Sequence, residues 1–151
     1  MDTNCPKVIS IGEALIDRLA PLGGGFSEGK PCIDCFGGAP ANVACALAKL
    51  NVDVAFIGRV GNDKFGNDFE NVMLMRGINT TGLQKDLVRP TRIVKVERDE
   101  SGDRSFGGFI GNKGNGFADE AICHKDILGK WKDLSNHASC VVIGTLPMAS
   151  S

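Results

Sequence analysis

Gly37-Gly38-Ala39-Pro40-Ala41-Asn42-Val43-Ala44 runs two glycines into the start of a helix, and the fold is read outward from it. Pro40 suits a first helical turn, where its missing N–H costs nothing. Ala41, Ala44 and Ala48, with Val43 and Leu47, give one apolar face of mostly small residues. The pattern predicts a helix from Pro40 to Leu50 that packs closely on a sheet. Short apolar runs flank it: Val8-Ile9-Ser10-Ile11, ended by Gly12, and Val54-Ala55-Phe56-Ile57. Both read as buried parallel strands. Asp63 is a candidate N-cap for a second helix running to about Met75, with Arg76-Gly77 as its stop. Strand, excursion, helix, strand and helix in that order make an α/β fold with a parallel sheet.

Further along, the rhythm changes. Residues 21–31 carry two prolines and four glycines and read as a loop or irregular hairpin. Arg92–Arg98 and Arg104–Ile110 read as strands joined by turn residues Asp99 to Asp103, an antiparallel hairpin of the kind that serves as a lid or dimer flap. Strict alternation puts Phe106 and Phe109 on opposite faces of that hairpin. Asp119 to about Lys132 reads as a helix, and Cys140–Gly144 as another buried strand. Three core strands and a hairpin make a thin sheet, so the chain is expected to be the first half of a larger α/β domain.

The composition excludes several classes. The 151 residues are 42% hydrophobic and 23% charged, enough for one core. A net charge of −1 implies no nucleic-acid surface. No apolar run approaches the roughly 20 residues of a membrane helix, and Met1 to Lys7 lacks the build of a signal peptide. A cytoplasmic protein with reduced thiols is expected. The six cysteines then pack or sit at the surface, with Cys45 and Cys140 expected as small buried hydrophobes. Cys32-Ile33-Asp34-Cys35 is a lone C-x-x-C with no helix to lower a thiol pKa, and the two histidines are too scattered for a zinc site. No metal ligands are expected. Arg98 and Arg104 read as members of solvated ion pairs around the hairpin turn, and Trp131 as a helix anchor.

Two places can carry chemistry. At Gly37-Gly38, glycines let a ligand touch the backbone, the helix start offers unpaired N–H donors, and the Asn42 amide can donate and accept. The plainer reading is a glycine turn with a buried capping Asn. Asp17 follows the first strand, where ligands of open α/β sheets gather, and its carboxylate can accept from two hydroxyls at once. The plainer reading there is a surface Asp paired with Arg18. A Rossmann dinucleotide site would need G-x-G-x-x-G after the first strand, and Gly12-Glu13-Ala14 is not that.

Three segments together resemble the ribokinase-like (PfkB) carbohydrate kinase family, and within it the fructokinases. They are Gly12-Glu13-Ala14-Leu15-Ile16-Asp17, Gly37 to Ala44, and Phe56-Ile57-Gly58-Arg59-Val60-Gly61-Asn62-Asp63-Lys64-Phe65-Gly66. The resemblance implies a three-layer α/β/α sheet with a small β-lid made from residues 18–35 and 92–110. It places Asp17, Gly37, Gly38 and Asn42 on the sugar. From the lid, Phe109 is expected to touch the ligand ahead of Phe106, and Thr145 lies near the same rim. It implies phosphoryl transfer from ATP, with Mg2+, to a sugar hydroxyl, fructose first, and the option of a homodimer through the lid. The family's second signature, D-T-x-G-A-G-D, which supplies the catalytic base and the anion hole, is absent from residues 1–151. No catalytic or nucleotide-binding residue is therefore expected in this chain, and the chain alone is expected to be inactive. The alternative is a non-catalytic fructokinase-like protein, or a short product, that acts by binding sugar or another protein.

Overall fold

The structure, a computed structural model, describes residues 5–26 and 31–148. The expected 21–31 loop and first lid segment thus include residues 27–30, which lie outside the described residues, as do residues 1–4 and 149–151. The main sheet is built from β1 (Val8–Ile11), β4 (Val54–Gly61), β5 (Asn79–Asp86) and β8 (Cys140–Ile143). Its order is β5-β4-β1-β8 and every pairing is parallel. Between its strands the chain forms β2 (Leu15–Leu19), β3 (Ile33–Gly37), β6 (Ile93–Arg98) and β7 (Arg104–Ile110). These make a second sheet in the order β3-β2-β6-β7.

Strand alternation divides the core of the main sheet. Ile9, Ala55 and Ile57 face α3 (His124–Ser135), meeting Leu134, Ile127 and Trp131. Val54 and Phe56 face α1 (Ala39–Lys49) and α2 (Lys64–Met75), meeting Ala41, Ala44, Phe69 and Met73. Helices therefore cover both faces, giving three layers. The alanine face of α1 permits close approach, and Ser10 Oγ beneath it donates to the Pro40 carbonyl at 2.8 Å. Asp63 caps α2 by accepting from Gly66 N–H at 2.9 Å, and Gly77, at φ +73°, follows its end. Both were expected from the sequence.

The second sheet rests on the first through Ile16 and Ile93, which join the α1–α2 core, and through Phe36, whose ring meets Phe69 edge-on at 4.6 Å. Trp131 anchors α3 as expected. Among the described residues no helix is long and apolar enough to cross a membrane.

Several expectations are corrected. The stretch after Ile16 continues as β2, and the C-x-x-C leads into β3, so Asp17 lies within a strand. β5 was missed because its inward residues include Gln84 and Asp86. Gln84 bonds Cys123 through both ends of its amide, and Asp86 is held by Arg59 and Arg89. Burial raises the Asp86 carboxyl, but N–H groups of Arg89 and Val88 and the Arg59 charge outweigh that and leave it below the usual range. The helix expected from Asp119 begins as a 3-10 turn, Ala118–Ala121, and restarts as α3 after Cys123. β8 is an edge strand with Val141 and Ile143 exposed, not a buried one, and Cys140 is exposed with it. Cys45 does pack partly against the core.

The hairpin alternation is also overturned. Val94 pairs with Phe109 but Val96 pairs with Phe106, so β7 spends one more residue than β6 over that interval. The extra residue lies at Gly107-Gly108, with Gly108 at φ +98°. Such a bulge resets the side-chain alternation. Phe106 and Phe109 end up on one face, with ring centroids 5.0 Å apart.

Candidate functional site

Asp17 on β2 lies beside Cys35 on β3 and Val94 on β6, and Val94 lies beside Phe109 on β7. Laterally paired residues point the same way, so these four share one face of the second sheet. Arg18 points to the other face, where it grips Asp34 with two bonds of 2.6 and 2.7 Å. Those bonds hold the Asp34 carboxyl below the usual range. The pairing of Asp17 with Arg18 is thus excluded by alternation. Burial pushes the Asp17 carboxyl above its ordinary value, partly offset by the charge of Arg104. Among the described residues neither Arg98 nor Arg104 forms an ion pair at the turn, and Arg98 donates to the Ala20 carbonyl at 2.7 Å.

β3 delivers the chain to the glycines. A Cβ on Gly37 would overlap the Asp17 carboxylate and lie 3.0 Å from Leu15 Cδ1. Only glycine lets that carboxylate lie against the loop. Gly38 has φ +98°, and a Cβ there would be 2.5 Å from the Glu13 carbonyl oxygen. Gly38 caps α1 without a side-chain bond; Asn42 donates its backbone N–H to the Gly38 carbonyl at 2.9 Å and keeps its side chain exposed. Asn42 is therefore not a buried cap, and its amide is open to a ligand. We expect Gly37→Ala to leave the far-ultraviolet circular dichroism intact while displacing the Asp17 carboxylate, seen as a change in the Asp17 side-chain carboxyl resonance by NMR.

Glu13 was missed by sequence reasoning. It is only 5% exposed, its Oε1 accepts from Ala39 N–H at 3.2 Å, and its Oε2 has no partner. It ties the start of α1 to the end of β1, under the glycine loop. Its signal was an acid set between Gly12 and the apolar run Ala14-Leu15-Ile16. The site lies at the carboxyl ends of β1 and β8. There the connections leave β1 on one side through β4 and β5 and return on the other at β8, the reversal point at which ligands bind in open α/β sheets. Thr145, just past β8, is exposed at that end.

Cys32 and Cys35 are three residues apart at the start of an extended strand, so their Cα atoms are about 10 Å apart. That exceeds the reach of a disulfide. Among the described residues no group of three or more His, Cys, Asp or Glu could hold a metal ion.

The pfkB family carbohydrate kinase model matches residues 6–150. The chain belongs to that family. Probable fructokinase-5 of Arabidopsis thaliana is 35% identical to this pfkB chain over 130 residues, covering 85% of it and 40% of the relative. The fructokinase of Escherichia coli is 40% identical over 100 residues, covering 66% and 31% respectively. The crystal structure of fructokinase from Xylella fastidiosa aligns with TM-score 0.79 at 29% identity, over 96% of this chain and 43% of that one. A sugar kinase of Pyrococcus horikoshii, solved in complex with ATP, aligns with TM-score 0.79 at 30% identity, over 95% and 45%. The pfkB chain thus spans less than half the length of the relatives it matches. The match extends to the ribokinase-like α/β fold.

Proposed function

We propose that this chain supplies the sugar-binding side of a carbohydrate kinase that phosphorylates a sugar hydroxyl, with fructose the first candidate. The observation that carries the reading is the Asp17 carboxylate, lodged against Gly37 and facing the same side as Phe109. In this reading Asp17 accepts from two adjacent hydroxyls, the Gly37-Gly38 backbone approaches the ring closely, and the Asn42 amide reads a further hydroxyl. Phe109 covers the apolar face of the sugar. The second sheet acts as the lid, drawn from the expected segments 18–35 and 92–110, and excludes water that would compete for the phosphoryl group. Phe106 and Ile33, 65% and 54% exposed, leave apolar surface on that sheet where a second copy could meet it as a homodimer.

ATP would supply the phosphoryl group and Mg2+ would offset its charge. The general base and anion hole belong to the D-T-x-G-A-G-D signature that the sequence lacks. The 151-residue chain by itself is therefore expected to bind fructose without phosphorylating it. Calorimetric titration with fructose, beside a coupled assay for ADP release, tests both halves. Absence of fructose binding at millimolar concentration would remove the sugar reading and leave protein binding as the function. ADP release that depends on fructose would overturn the expected inactivity.

A further inference from the structure

Arg92 directly precedes β6 and is only 4% exposed. Its Nε and Nη2 donate to the two oxygens of Asp119 at 2.8 and 3.0 Å, and Nη2 also donates to Glu120 at 2.7 Å. Asp119 is itself 1% exposed. The guanidinium carbon lies 4.7 Å from the Phe109 ring centroid and 4.6 Å from that of Phe117. Those two rings meet edge-on at 5.8 Å. Three separate pieces of chain converge here: the residue before β6, the bulged strand β7, and the 3-10 turn that β7 leads into.

Phe109 is consequently fixed from two directions. Phe106 meets it on one side, and Arg92 with Phe117 on the other. Phe109 is still 43% exposed, so part of it remains available to a ligand. Arg92 has almost no exposed surface with which to touch that ligand. We propose that Arg92 is a positioning residue: braced by Asp119 and Glu120, it holds the Phe109 ring as a rigid apolar wall of the sugar site. The proposal rests on the sugar-binding reading above.

A planar guanidinium can bond a carboxylate through its edge while it packs rings against its faces, and an ammonium cannot. Arg92→Lys keeps the charge and removes that double engagement. The chain is labelled with 4-fluorophenylalanine, and the Phe109 resonance is assigned by its loss in Phe109→Leu. In the parent chain that resonance is expected to be sharp and displaced from the unfolded position. In Arg92→Lys it moves toward the unfolded position, and fructose affinity falls about tenfold. Phe109→Ala is expected to lose a similar factor, and the double variant no more than either single, since both changes remove one wall.

A Phe109 resonance unmoved by Arg92→Lys would overturn the proposal, as would a double variant whose loss is the product of the two single losses. Should Arg92→Lys fail to fold, Glu120→Gln loosens the brace at its partly exposed end while Asp119 still pairs Arg92. It is expected to shift the same resonance by a smaller amount, and no shift there overturns the proposal. If the parent chain binds no fructose, the sugar reading fails on its own, and the fluorine spectrum still decides whether Arg92 holds the ring.

Discussion

Asp17→Asn is expected to weaken fructose binding by at least a hundredfold. Hydrogen bonds from hydroxyls to a carboxylate contribute about 1.5–3 kcal/mol each; in the amide one is inverted and the other loses its charged acceptor. An amide presents one oxygen and one NH2 group, so one hydroxyl must then turn its oxygen to the protein. The substitution preserves shape, and the contact of Gly37 with the side chain survives. A decrease under tenfold, with the fold intact, would show that Asp17 does not bind the sugar. The pH profile gives a second reading of the same group. Burial places the Asp17 carboxyl above the ordinary aspartate range, against the pull of Arg104. If Asp17 accepts from the sugar as proposed, binding needs its ionised form, so affinity falls as pH drops through that raised value, beginning at a higher pH than an exposed aspartate would give. For the unliganded fold the sign is opposite. A carboxyl with a raised folded pKa contributes stability below its unfolded pKa, and that contribution is lost as pH rises through the folded one.

Asp119→Ala is expected to be the most destabilising single change. It leaves the Arg92 guanidinium buried with only Glu120 as a charged partner. Removing one member of a buried pair costs about 3–5 kcal/mol, a large part of the total stability of a domain this size. For a chain of about 150 residues that corresponds to a Tm lower by about 10 °C in a thermal scan. The double change Arg92→Met with Asp119→Leu removes both charges and keeps volume, and buried pairs replaced in this way often lose little stability. The double variant is therefore expected to melt above Asp119→Ala. The reverse order would mean that Glu120 alone satisfies Arg92.

The sequence displays those elements whose cores are apolar and periodic. α1, α2 and β1 carry their own patterns and caps, and they were legible nearly to the residue; β4 was legible only over Val54 to Ile57, because Gly58 and Gly61 read as a turn where the strand in fact runs on to Gly61. β5 was not, because its buried positions hold Gly82, Gln84 and Asp86, whose burial depends on partners elsewhere in the chain. The pairing of Arg92 with Asp119 spans 27 residues and could not be read from local spacing. The shared face of Phe106 and Phe109 was hidden because a bulge leaves no mark except two adjacent glycines, which are common in loops. Of the candidate site, the sequence singled out Asp17 and the glycine loop, and the structure brings the Asp17 carboxylate against Gly37. Glu13 was passed over because its role is to tie the loop down from beneath.

The junction around Glu13 also bears on how such a protein can diversify. A Cβ on Gly12 would come within 2.7 Å of Pro40 Cγ, and one on Gly144 within 2.5 Å of Glu13 Oε2. In and just past β7, by contrast, Gly108 and Gly111 have nothing within 4 Å of such an atom, and there it is the backbone, at φ +98° and +94°, that favours glycine. The glycines of the floor are fixed by contact with neighbouring atoms, while those of the aromatic wall are fixed by the bend of the chain alone. A side chain added to the floor must push its neighbours apart, whereas one added to the wall at Gly108 must first straighten the bulge that puts Phe106 and Phe109 on one face.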